Sequence, residues 1–176
     1  MPNAETLRAA IRDVADYPKA GIVFKDITPL LADPALLHTS IDLLAATARH
    51  CKIDKVVGID ARGFIFAAAV ADRIGAGFVP IRKKGKLPWK THQTAYALEY
   101  GEAVVEIHQD ALKPGETILL VDDLLATGGT AAAAARLISS LGATLLGMSF
   151  LIELEFLKGR DQLHPHRIDS IITFQH

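Results

Sequence analysis

One cysteine, Cys51, occurs in 176 residues, so no disulfide forms within the chain and no cysteine-rich zinc site can be assembled, a usage that fits a reducing cytosol. Neither sign of charge is in excess. Nineteen basic and 20 acidic residues leave a net charge of −1 and a pI near 6.6, which removes the broad electrostatic attraction that nucleic acid or an anionic membrane would need. No window approaches the ~20 apolar residues of a membrane span. The opening MPNAETLRAAIRDVADYP mixes acids and bases where a signal peptide needs an apolar core, so a cytoplasmic protein is expected. Aromatic residues make up only 6%, few for an antiparallel sandwich, while 50% of the chain is hydrophobic. The length suits one domain, residues 1–176, able to hold its own core without staples.

What is present alternates between helical and strand patterns. Leu7, Ala10, Ile11 and Val14 fall at helical spacing, which predicts a short helix ending before Pro18, and Tyr17 to Leu31 reads as irregular. Asp33 and Pro34 supply a cap and a first-turn proline for a second helix running to about His50. Strands are expected at Lys55–Asp60, Gly77–Arg82, Thr117–Asp123, Leu145–Ile152 and Ser170–Phe174. Helices are expected from Phe64 to Gly75 and up to Gly142. About five apolar strands separated by helices imply an α/β fold with a mostly parallel sheet and helices on both faces. Between the second and third strands, alternation from Thr94 to His108 around Gly101 and Glu102 predicts an inserted β-hairpin.

The run from Val121 to Thr130, VDDLLATGGT, is an apolar strand ending in two acids, followed by a small-residue loop that opens a helix. In a parallel sheet ligands sit beyond the carboxyl ends of the strands, where Asp122 and Asp123 would be delivered. Ala126, Thr127, Gly128, Gly129 and Thr130 would aim backbone amides, two hydroxyls and a helix N-terminus at one point, which suits a phosphate. Two acids beside a phosphate cradle suit a sugar phosphate, with carboxylates accepting from ribose hydroxyls. The triphosphate P-loop pattern is absent.

This run resembles the 5-phosphoribosyl-1-pyrophosphate (PRPP) motif of type I phosphoribosyltransferases, in the form found in adenine phosphoribosyltransferases. Three further stretches are similar to the same family. Gly21 to Leu30, GIVFKDITPL, resembles its N-terminal hood (about 1–33 here), which implies that Phe24 stacks on adenine and Val23 gives main-chain contacts. Asp60 to Phe64, DARGF, resembles the pyrophosphate loop, with Asp60 where the family often has Glu, and implies that Arg62 and Gly63 meet an anion. Arg82, Lys83 and Lys86 lie in a stretch resembling the family's basic arm near a dimer interface. Tyr96 to Gly101 resembles the flexible catalytic loop (about 83–108), implying proton transfer by Glu99 and site closure by Tyr100. Arg62 joins Glu99 and Tyr100 as a catalytic candidate. Ile152 is placed against the purine by position alone.

The resemblance implies the reaction of adenine with PRPP to give AMP and pyrophosphate, Mg²⁺ bound mainly through substrate, no dedicated metal site and a homodimer. The alternatives are transfer to another base, or a non-catalytic regulator that senses PRPP. The segment from Leu157 to His176 carries no assignable motif.

Overall fold

The computed structural model describes residues 3–97 and 102–176. Its first helix, α1 (Ala4–Ala10), starts at Asn3, whose side chain accepts from the Thr6 amide at 3.0 Å, and buries Leu7. The expected continuation to Val14 does not form. Residues Arg12–Ala15 are a strand, β1, paired antiparallel with β2 (Val23–Asp26), so Val14 lies opposite Phe24. Opposite charges across the ladder explain the difference, because Lys25 meets Asp13 at 2.7 Å and Arg12 meets Asp26 at 3.7 Å. The stretch read as irregular therefore holds β2 and a short helix, α2 (Thr28–Ala32).

Asp33 caps α3 (Pro34–Ala46), accepting from the amides of Ala35 and Leu36 at 2.8 and 3.0 Å. The helix stops at Ala46, short of His50, where Thr47 turns its hydroxyl back onto the Leu44 carbonyl. There follow β3 (Lys55–Ile59), α4 (Gly63–Ile74), β4 (Gly77–Lys83), β5 (Thr91–Ala97), β6 (Glu102–His108), β7 (Thr117–Leu125), α5 (Gly129–Ser140), β8 (Thr144–Leu154) and β9 (Ile168–Phe174). Gly75 ends α4 in the left-handed conformation, φ +71.

Among the described residues the main sheet runs β5-β6-β4-β3-β7-β8-β9. The five strands from β4 to β9 are parallel, as expected, and β6 joins β4 antiparallel, so the hairpin extends the same sheet at its edge. Strand β7 reaches Leu125 and β8 reaches Leu154, two residues beyond the expected ends.

Side chains alternate across this sheet with the period of two that a strand imposes. Val57, Ile59, Ile118 and Leu120 face α5, with Leu137 and Ile138, while Val56, Leu119 and Val121 face α3 and α4, with Leu44, Phe66 and Val70. Alanines 131, 133, 134 and 135 on α5 are buried and keep that helix close to the strands. On the other face α4 lies so near β3 that a Cβ on Gly58 would stand 2.5 Å from Ala67 Cβ and 3.0 Å from the Phe78 ring. Gly58→Ala should accordingly lower the unfolding free energy by about 1–3 kcal/mol, the usual cost of overpacking. An unshifted denaturant midpoint would show that α4 has room to move.

Candidate active site

The parallel strands are ordered β4-β3-β7-β8-β9, so the chain leaves β3 towards one side of the sheet and resumes at β7 on the other. A crevice must open where those connections diverge, at the carboxyl ends of β3 and β7. A cavity of about 430 Å³ lies there, between the turn at Asp60, Ala61 and Arg62 and the turn from Asp122 to Ala131. Lys83 and Tyr96 close its side. The Asp60–Ala61 peptide is cis.

The second turn leads into α5 through Gly128, whose φ of +87 few other residues adopt readily. No side chain caps this helix, so its first amides are left for a ligand, and a helix N-terminus favours an anion. Ala126, Thr127, Gly128, Gly129 and Thr130 all line the cavity.

The two acids sit beside this loop. Asp122 keeps some surface on the cavity, and its Oδ1 accepts from the Asp123 amide at 2.9 Å. The same carboxyl fills the space where a Cβ on Gly63 would fall, so any larger residue there would displace the Asp122 carboxyl. Asp123 is 6% exposed and its Oδ2 lies 2.7 Å from Arg62 Nε, an ion pair without hydrogen-bond alignment. Burial pushes the Asp122 carboxyl well above its ordinary value and the neighbouring Asp123 charge adds to this. Burial also raises Asp123, with Arg62 pulling the other way. The pair holds its proton most tightly on Asp122.

Arg62 joins this acid pair to the N-terminal strands. Its guanidinium lies 5.1 Å from the centre of the Phe24 ring, and Tyr17 meets the same ring edge-on at 5.2 Å. Val23, next to Phe24, is 49% exposed. Arg82 turns to Asp60, Nε to Oδ2 3.1 Å, and donates to the Lys86 carbonyl at 3.2 Å. The Lys86 side chain is exposed and stands outside the cavity wall, in contrast to Lys83.

Ile152 does not reach the site. It is 1% exposed, paired between Leu124 and Ile172 inside the core, and offers a purine no surface. Glu99 and Tyr100 lie outside the described residues. Sequence reasoning gave no role to Glu106, which is 2% exposed and accepts from the amides of Lys86 and Leu87 at 3.1 and 3.0 Å. Burial pushes its carboxyl up, but those amides and the Thr91 hydroxyl outweigh this and hold it below its ordinary value. This buried carboxylate ties the basic arm to the hairpin, where Trp89, 53% exposed, meets His108 edge-on at 6.3 Å.

Residues 26–176 match the model of the phosphoribosyl transferase domain. The adenine phosphoribosyltransferase of Acidothermus cellulolyticus is 58% identical over 98% of this chain and 99% of its own. That of Anaeromyxobacter dehalogenans is 55% identical over 97% and 99%. The chain belongs to the adenine phosphoribosyltransferases. The crystal structure of the adenine phosphoribosyltransferase from Thermoanaerobacter pseudethanolicus is 48% identical and superposes with a TM-score of 0.96, covering 98% of this chain and 100% of that one. The Saccharomyces cerevisiae adenine phosphoribosyltransferase, solved with an imino-altritol bisphosphate and adenine, is 40% identical with a TM-score of 0.91, covering 96% and 97%.

The acid pair gives this phosphoribosyltransferase a pH signature. Both carboxyls have raised pKa values in the folded state, so the stability they contribute is present below the ordinary carboxylate range and lost as pH rises through the folded values. Asp122→Asn removes the cost of the charge while keeping the oxygen that accepts from Asp123. The variant should melt above the wild type at pH 7, with the gap closing towards pH 4. A lower melting temperature at pH 7 would mean that Asp122 is comfortably ionised.

Proposed function

We propose that the cavity at the ends of β3 and β7 binds PRPP and adenine and joins them as AMP with release of pyrophosphate. The observation that carries this reading is the pairing of a buried acid and its partly buried neighbour with an uncapped helix N-terminus in one cavity, which suits the hydroxyl face and the phosphate end of a ribose phosphate together. In it, the amides of the 126–130 loop with the Thr127 and Thr130 hydroxyls take the 5′-phosphate. Asp122 and Asp123 take the 2′- and 3′-hydroxyls. Arg62, the Gly63 backbone and Lys83 face the pyrophosphate, with Arg82 and Lys86 from the basic arm. Phe24 offers its ring and Val23 its main chain to adenine.

Displacement at the anomeric carbon passes through an oxocarbenium-like state, as in glycoside chemistry. The protein's contribution is then to hold the base in line and to stabilise the departing charge. Arg62 begins paired with Asp123, and a pyrophosphate would draw it away, releasing a carboxylate for the ribose. Glu99 is assigned the purine proton as N9 bonds to C1′, and Tyr100 the closing of the site against water, which competes for the sugar cation.

Asp122 and Asp123 are hard oxygen donors, and no cluster of three or more metal-binding side chains occurs among the described residues. These residues fit an Mg²⁺ carried in largely by pyrophosphate and ribose oxygens. When bound it would neutralise charge on the leaving group.

The enzyme is proposed to work as a homodimer in the cytoplasm. Ile65 on α4 and Phe78 on β4, 43% and 37% exposed, support an apolar contact there, and Arg82 lies 5.9 Å from the adjoining Phe64 ring. No helix among the described residues is long and apolar enough to cross a membrane.

Purified protein with PRPP and Mg²⁺, offered adenine, hypoxanthine, guanine, xanthine and orotate in turn, should form AMP from adenine alone. Turnover of another base would overturn the role given to Phe24 and Val23, and PRPP binding without turnover would leave a regulator. Glu99→Gln should lower kcat by about 10²–10⁴-fold, the usual worth of a general acid–base group, with the PRPP dissociation constant unchanged. Near wild-type turnover would remove the role.

A further inference from the structure

The segment after β8 takes no part in the chemistry above, yet it packs against the back of the phosphate loop. It forms two 3₁₀ turns, Glu155–Leu157 and Gly159–Gln162, joined at Lys158 with φ +54. Gly159 comes so close to the loop after β7 that a Cβ on it would overlap the Ala126 carbonyl oxygen and stand 2.9 Å from Leu125 Cδ1. The approach is reciprocal, since a Cβ on Gly128 would overlap the Gly159 carbonyl oxygen. Backbone meets backbone without an intervening side chain, so the place of Gly159 limits how far the loop can retreat from the cavity.

The next residue holds Gly159 there. Arg160 donates from Nε and Nη2 to the two carboxylate oxygens of Glu153, both at 2.7 Å, and from Nη1 to the Ile168 carbonyl at 3.1 Å. A second bond from Nη2 reaches Ser170 Oγ at 3.3 Å. Glu153 is 3% exposed and stands in register with Leu125, one residue before the loop begins. Burial pushes its carboxyl up, but the bonds from Arg160 and Ser170 outweigh this and hold it below its ordinary value, so it is ionised at neutral pH. A bidentate pair fixes direction as well as charge, and losing one partner would strand a buried carboxylate.

We infer that Glu153 and Arg160 are positioning residues for the phosphate loop, acting through Gly159 to keep the Ala126–Gly128 turn pressed forward with its amides towards the cavity. The inference rests on assigning that loop to the 5′-phosphate.

Titration calorimetry of the wild type, Arg160→Lys and Glu153→Gln with ribose 5-phosphate and, separately, with inorganic pyrophosphate tests it. Lysine keeps the charge and loses the fork, while glutamine keeps the shape and loses the charge. Either variant should bind ribose 5-phosphate about tenfold more weakly, below the roughly hundredfold that a full ångström of misplacement can cost. Pyrophosphate affinity, assigned to the Arg62 turn, should stay unchanged. Amide hydrogen exchange at residues 127–130 of the ligand-free chain should quicken in both variants, and Glu153→Gln carries the test if the lysine variant does not fold. Unchanged ribose 5-phosphate affinity in folded variants, or an equal loss for both ligands, would overturn the positioning role. A wild type that binds pyrophosphate but not ribose 5-phosphate would instead overturn the loop assignment, and the positioning role with it.

Discussion

The turn after β3 and the turn after β7 press together so closely that Gly63 has no room for a Cβ beside the Asp122 carboxyl. Much of the cavity follows from that approach. It covers part of Asp122 and brings Arg62, one residue earlier, onto the buried Asp123. Gly58 serves the same end from below, by letting α4 settle onto β3 at the distance this contact needs. Two positions without side chains thereby decide where two charged side chains can stand. The parallel strand order decides the rest, since only where the connections part can both turns face one space.

The site keeps charge that its own side chains do not fully satisfy. Asp123 Oδ2 is buried without an aligned donor, Asp122 is driven towards its neutral form, and Arg62 is shared between a carboxylate and an aromatic face. Such an arrangement costs stability, and a group that brought hydroxyls to the acids and an anion to the arginine would relieve it. Arg62 meets both the Phe24 ring and Asp123, so the N-terminal strands and the acid pair share one cation.

The parts legible in the sequence were local ones. The run from Val121 to Thr130 shows strand, acids, glycine turn and helix start within ten residues, and each depends mainly on its neighbours. The five parallel strands were legible because a strand buried on both faces is apolar throughout. The N-terminal pair β1 and β2 was not, because Arg12, Asp13, Lys25 and Asp26 select strand over helix only by meeting across the ladder. The buried partners of Glu106 and Glu153 were invisible for a related reason. An acid among apolar residues reads as a solvated edge until the fold supplies the amides or the guanidinium that bury it. Ile152 was placed by its nearness to an expected strand end, but β8 runs on to Leu154 and keeps it inside the core.

The exposed ring of Trp89, pinned beside His108 at the root of the hairpin, is also the only indole in the chain. Its surroundings are set by the Glu106 carboxylate that gathers the basic arm. The indole emission of the unlabelled protein therefore comes from a single known place, where the basic arm enters β5. The protein carries its own optical gauge of the junction between that arm and the sheet, readable in real time without a dye or an added residue.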